Sequence, residues 1–191
     1  GDGGGDDSGR VDGDGDDVHG VGAATRCHAL VMEAGGSDLA SALERRELGA
    51  HDYKRTVVVL RDLARALQSL HAAGLVHNDV KPQNLVACGS GILAGGARGG
   101  GGGGVGVRWR LCDLDCCVRK GAPLPAAMTP QYASPERLRG TARGSDWRGD
   151  VWSFGVVALH AWTGEPPFAS AEEARAVACG GAGDGGAGDG G

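Results

Sequence analysis

The chain has 191 residues, carries a formal net charge of −5, and spends 38 positions on glycine. That length holds one domain of moderate size with a real core. An acidic balance weighted toward the N-terminus gives nucleic acid no basic patch, no apolar run approaches the roughly 18 residues of a membrane span, and the Gly/Asp start lacks the basic-then-apolar pattern of a secretory signal.

Residues 1–22 are Gly and Asp with almost no apolar content, so they cannot offset the entropy of ordering and are expected to form a disordered acidic tail. The run Asp12-Gly13-Asp14-Gly15-Asp16-Asp17 fails as a calcium loop, because its sixth position is Asp17 rather than Gly and its twelfth is Ala23 rather than Glu. Residues 28–33 form a short apolar run that suits a buried strand, released at Gly35-Gly36. Ser37 and Asp38 can cap a helix running to about Leu48 and closed by Gly49.

The clearest helix covers residues 52–73. Val57, Leu60, Ala64, Leu67 and His71 recur at three- and four-residue steps, widened by Leu63 and Leu70, with Asp52 as N-cap and Gly74 as C-cap. Residues 85–87 and 108–111 read as two short strands of a hairpin. The Gly-rich sequence between them, 89–106, reads as a surface insertion; it has no Lys-Ser/Thr ending and no helix behind it, so it is no phosphate cradle. Residues 150–163 are apolar almost all round, as in a helix buried at the centre of a domain, and Gly164 with Pro166-Pro167 ends it. A weaker amphipathic segment spans 170–179, and the Gly-rich tail 180–191 is expected to be disordered.

The six cysteines, Cys27, Cys88, Cys112, Cys116, Cys117 and Cys179, show no paired C-x-x-C knuckles and no His at zinc spacing. Reduced thiols and a cytoplasmic location are the expectation.

Chemistry concentrates in His77-Asn78-Asp79-Val80-Lys81-Pro82-Gln83-Asn84. Asp79 can accept a proton from a hydroxyl, Lys81 can hold an anionic phosphate, and Asn84 offers a neutral carbonyl oxygen to a hard cation. These are the parts phosphoryl transfer requires, where catalysis is mostly positioning and charge neutralisation. The segment resembles the catalytic loop of a protein kinase, H-R-D-x-K-x-x-N, with Asn78 where the family usually has Arg. Four further stretches fall in the family's order. Cys112-Asp113-Leu114-Asp115 stands where the family carries Asp-Phe-Gly; Leu114 would pack as the Phe does, and Asp115 departs from Gly. Thr129-Pro130-Gln131-Tyr132-Ala133-Ser134-Pro135-Glu136 resembles the end of an activation loop. Asp150-Val151-Trp152-Ser153-Phe154-Gly155 resembles the start of the family's central helix, whose Asp accepts hydrogen bonds from catalytic-loop backbone. Leu30-Val31-Met32-Glu33 looks like the hinge that meets adenine.

The resemblance implies a mainly α fold with short β hairpins, the large C-terminal lobe of a serine/threonine protein kinase, over residues 24–178. By it the small N-terminal lobe is expected to be missing, since no Lys occurs before Lys54 and no Glu before Glu33 to supply the nucleotide clamp, and the chain is expected to stop before the family's last helices and before the Arg that would pair with Glu136. It implies ATP and Mg as cofactors and Ser/Thr of a protein as substrate, with no nucleic-acid or membrane partner. By it, Asp79, Lys81, Asn84 and Thr129 are catalytic, Asn84 and Asp113 hold magnesium, and Met32, Glu33, Gly35, Asp38 and Val86 surround the nucleotide. The chain alone is expected to be inactive. A pseudokinase serving as a binding module and a small-molecule phosphotransferase are the rival readings.

Overall fold

The structure is a computed structural model, and it describes residues 34–89 and 107–180. The expected tail at 1–22, the strand at 28–33, nearly all of the Gly-rich insertion and all of the expected 180–191 tail but Gly180 lie outside the described residues. The described chain is helical with short strands.

Residues 35–38 run antiparallel to the end of a short strand, with the Gly36 amide donating to Ala87 O at 2.8 Å and the Ala87 amide to Ser37 O at 3.0 Å. Helix α1 (Leu39–Glu44) follows, capped by the Asp38 carboxylate on the Ser41 amide. It stops short of the expected Leu48. Arg46 adopts a left-handed backbone (φ 56°), and the amides of Arg46 and Glu47 turn back to Leu43 O and Ala42 O. This paired closure normally falls to Gly, and here a non-glycine residue makes it.

A 3-10 turn (Ala50–Asp52) leads into α2 (Tyr53–Ala72), where Asp52 caps the Arg55 amide and Gly74 (φ 74°) follows the C-cap, as the sequence suggested. The buried stripe lies slightly off the expected one: Thr56, Val59, Leu63 and Leu67 face inward, while Val57 and Ala64 are exposed. The shift follows from Thr56. Its buried hydroxyl donates to Gly49 O at 3.0 Å and accepts from the Gly49 amide at 3.1 Å, so a polar residue that hydropathy counts outward holds the preceding turn.

Two antiparallel ribbons surround the far end of α2. Strand β1 (Leu75–Val76) pairs with β4 (Val118–Arg119), and β2 (Leu85–Cys88) pairs with β3 (Arg108–Leu111), with Leu85 opposite Leu111. The buried Asp62 of α2 accepts the Trp109 amide at 3.1 Å, fixing β3 to the helix. Then come α3 (Pro135–Leu138), α4 (Trp147–Thr163) and α5 (Ala171–Ala178). The core joins Leu39, Leu43, Val59, Leu63, Val80 and Leu85 to Val157 and Ala161 of α4. Each fully buried Leu contributes roughly 1.5–3 kcal/mol to holding these layers together.

Helix α4 begins three residues before Asp150, capped by Asp146, and it is not buried all round. Val151, Trp152, Leu159 and Trp162 are exposed, and Val151, Gly155 and Leu159 at four-residue steps line a groove of about 560 Å³ with Pro167 and Phe168. No described residue packs over that face, which is why the all-apolar pattern does not translate into full burial.

Candidate active site

Residues 77–84 hang between the end of α2 and the start of α4. Asp150, 1% exposed, accepts the His77 amide at 2.8 Å and the Asn78 amide at 2.9 Å, one on each oxygen. His71 of α2 brings its Nε2 to 2.8 Å from the same carboxylate. A buried carboxylate needs such donors, and these set where the loop starts. Asn78 is left-handed (φ 65°), a conformation Asn tolerates better than most residues. Its side-chain amide donates to Val76 O and Cys116 O, both at 3.1 Å. The fully buried His77 sits with Nε2 3.2 Å from Cys112 O, while its Nδ1 accepts the Asp79 amide at 3.3 Å. This pattern selects the neutral tautomer protonated at Nε2.

Asp79, Lys81 and Thr129 close a triangle. The Lys81 ammonium lies 2.5 Å from Asp79 Oδ2, the Thr129 hydroxyl donates to Asp79 Oδ1 at 2.8 Å, and Lys81 donates to Thr129 Oγ1 at 3.2 Å. Burial pushes the Asp79 carboxyl upward, but the hydrogen bonds from Lys81 and Thr129 outweigh it and hold the group below its ordinary value of 3.8. The carboxylate is therefore charged at neutral pH, ready to accept a hydrogen bond from a hydroxyl in place of Thr129.

Asn84 is buried beside it. Its Nδ2 donates to Asp79 O at 2.9 Å, and its Oδ1 takes no hydrogen bond from any described residue. The Cys112 amide donates to Asn84 O at 2.9 Å, so the turn carrying Asp113 starts next to Asn84. Asp113 is itself left-handed (φ 65°) and exposed, with the Asp115 amide 3.4 Å from its Oδ1. One amide oxygen and one carboxylate suit magnesium, which keeps few protein ligands and completes its shell with water and phosphate. Among the described residues no group of three or more His, Cys, Asp or Glu could hold a metal unaided. Leu114 is 56% exposed, so the packing expected of it is not made among the described residues.

Of the residues expected to surround a nucleotide, Gly35, Asp38 and Val86 come together. A Cβ on Gly35 would overlap Val86 Cγ1, so the chain passes directly over the Val86 side chain, and Asp38 bridges to Val86. Both Asp38 oxygens are engaged by Ser41, at 2.9 Å from its amide and 2.8 Å from its hydroxyl. Met32 and Glu33 lie outside the described residues. Cys112 donates its thiol to Asn84 O, and burial pushes the thiols of Cys112, Cys116 and Cys117 up, away from thiolate.

A cleft of about 460 Å³ opens beside Asp79 and Thr129 and continues past Tyr132 to Gly144 and Ser145. Tyr132, buried, has its hydroxyl 3.0 Å from His160 Nδ1 and its pKa pushed up to about 12 by burial. Arg137, which no motif singled out, donates to Asn78 O, Pro125 O and Ala127 O. No short motif marks it, because its partners are backbone carbonyls of any residue type.

The protein kinase domain family matches residues 19–180. The chain is 33% identical over 163 residues to a probable serine/threonine-protein kinase of Corynebacterium efficiens, which covers 85% of this chain and 21% of that protein. It is 34% identical over 115 residues to the serine/threonine-protein kinase PknB of Mycobacterium tuberculosis, covering 60% of this chain and 17% of that protein. It is 39% identical over 151 residues to CBL-interacting protein kinase 4 of Oryza sativa subsp. japonica, covering 76% of this chain and 30% of that protein. The chain belongs to the protein kinase family. Within it, the resemblance is to protein serine/threonine kinases, and the chain spans only 21% and 17% of the first two of these relatives.

Proposed function

We propose that this chain supplies the catalytic-loop part of a protein serine/threonine kinase that transfers the γ-phosphate of ATP to a Ser or Thr hydroxyl of a protein. The Asp79–Lys81–Thr129 triangle is the observation that carries the reading. A charged carboxylate already hydrogen-bonded to a threonine hydroxyl is the arrangement a substrate hydroxyl needs. Asp79 orients the incoming hydroxyl and takes its proton as the new P–O bond forms and the bond from the γ-phosphorus to the β–γ bridging oxygen breaks, releasing ADP. Lys81, freed from Thr129, steadies the transferring phosphate. Magnesium, when bound with nucleotide, neutralises phosphate charge, and Asn84 and Asp113 would hold it. Gly35 and Val86 would flank the base, with Met32 and Glu33 at the hinge and Asp38 toward the ribose.

The reading extends to the organisation of the chain. Residues 24–178 correspond to the large lobe, between Gly-rich tails at 1–22 and 180–191 and with a Gly-rich insertion at 89–106. No Lys precedes Lys54, so no strand Lys grips the phosphates in this chain, and transfer by it alone should be negligible. An intracellular setting belongs to the same proposal, since the substrate is ATP; no helix among the described residues is long and apolar enough to cross a membrane.

A thermal-shift titration with Mg-ATP, set beside ATP with chelator, tests the nucleotide site. A magnesium-dependent rise that Asp113→Asn removes is expected. No shift under any nucleotide condition would favour a pseudokinase module, and robust transfer to a generic protein substrate, abolished by Asp79→Asn, would refute the inactivity of this chain.

A further inference from the structure

Arg137 has no carboxylate within ion-pair distance among the described residues. Its guanidinium ends on three carbonyls instead. Nη1 donates to Asn78 O at 2.6 Å, and Nη2 donates to Pro125 O at 3.0 Å and Ala127 O at 2.7 Å. Asn78 is the residue before Asp79, and Pro125 and Ala127 lie just ahead of Thr129. One side chain from α3 thus ties the loop that carries the carboxylate to the segment that carries its hydroxyl partner. Asn78 adds a fourth tie, its amide on Cys116 O at the start of the same segment.

A second observation points the same way. Residues 114–128 contain no Ser, Thr or Tyr. The next three hydroxyls are already committed or covered: Thr129 donates to Asp79, Tyr132 faces His160, and Ser134 is buried. The segment therefore offers no free hydroxyl whose phosphate could order it, and Asn78 supplies no guanidinium to receive one. A rigid fork that binds carbonyl dipoles can do the ordering without a phosphate.

We propose that Arg137 is a positioning residue, a built-in fork that holds residues 116–129 against the catalytic loop so that Thr129 meets Asp79 in the unmodified chain. Its significance for phosphate transfer rests on the kinase reading, but its structural content can be measured without activity.

The test is hydrogen–deuterium exchange on the full chain, with the absence of phosphate checked by intact mass. Arg137→Ala should raise exchange across residues 116–133 by roughly tenfold or more while α2 amides stay protected. Millimolar methylguanidinium should restore protection to Arg137→Ala. Arg137→Lys should resemble Arg137→Ala, because an ammonium lacks the planar fork. If Arg137→Ala does not fold, Arg137→Lys and Arg137→Gln carry the same comparison. Unchanged protection of 116–133, equal loss in α2, full rescue by Lys, or random-coil exchange of the wild-type segment would each overturn the proposal. A failed kinase reading shows instead in the Mg-ATP titration, which leaves this exchange pattern untouched.

Discussion

The Asp150 carboxylate and the His77 amide, 73 positions apart, meet at 2.8 Å in a buried hydrogen bond. The same carboxylate takes the Asn78 amide and faces His71, so three pieces of chain converge on one charge. The start of α4 therefore sets the height and direction of the loop that carries Asp79. Without Asp150, two amides would be buried with no acceptor.

Asp150→Ala should cost on the order of 3 kcal/mol or more, the sum of two unsatisfied buried donors. His71→Ala should cost less, about 1 kcal/mol, since the carboxylate keeps both amides. Urea denaturation of the two variants checks the order, and a larger loss for His71→Ala would mean that the imidazole, not the loop amides, anchors Asp150.

Thr56→Val keeps the shape of the side chain and removes the hydroxyl that both donates to and accepts from Gly49. The Gly49 amide then loses its acceptor inside the core, while the Gly49 carbonyl keeps the Asp52 amide at 3.1 Å. A destabilisation of about 1–3 kcal/mol is expected. A neutral or stabilising Val would show that hydropathy alone decides this position.

Apart from the tie between Asp150 and the catalytic-loop backbone, which the family resemblance implied, what the sequence made legible was local. Asp79, Lys81 and Asn84 lie within six positions of one another, so their types and spacing were enough to nominate them. The caps at Asp38 and Asp52 follow the same logic. The end of α1 did not, because Arg46 takes the left-handed turn that would have been assigned to Gly49. Arg137 was invisible for a different reason: its partners are carbonyls 59, 12 and 10 positions away, and a carbonyl carries no residue type. The exposed Trp152 and Leu159 show a third limit, since an apolar pattern states what a face prefers and not what covers it.

Gly35 is held close to Val86, whose branched side chain has little freedom to move aside. Gly35→Ala should cost about 1–3 kcal/mol or push the chain off β2, breaking the Gly36 bond to Ala87 O. A thermal melt with amide exchange at Gly36 and Ala87 distinguishes the two. Unchanged stability with both amides still protected would mean that the contact is looser than the geometry indicates.

On the proposed reading Asn84 and Asp113 supply one amide oxygen and one carboxylate to magnesium, so the chain should hold divalent ions poorly without nucleotide. Chelator added to the purified chain should leave its melting temperature unchanged, while chelator added with ATP present should remove the nucleotide-induced rise. A fall in melting temperature on chelation alone would reveal a metal site outside this pair.

His160 gives stability a pH dependence of definite sign. Burial lowers its pKa below the ordinary 6.5, and its Nδ1 faces the Tyr132 hydroxyl, which donates only to the neutral ring. The unfolded chain takes up this proton near 6.5, and the folded chain takes it up only at lower pH. The unfolded state therefore binds more protons in between. The contribution is fully present above 6.5 and is lost as pH falls through the folded value, at about 1.4 kcal/mol per unit of separation. Unfolding free energies at pH 7.5 and 5.0 should fall more for the wild type than for His160→Asn, which keeps an acceptor for Tyr132 but cannot titrate. An equal fall in both would remove His160 from the account, and a larger fall in His160→Asn would reverse its sign.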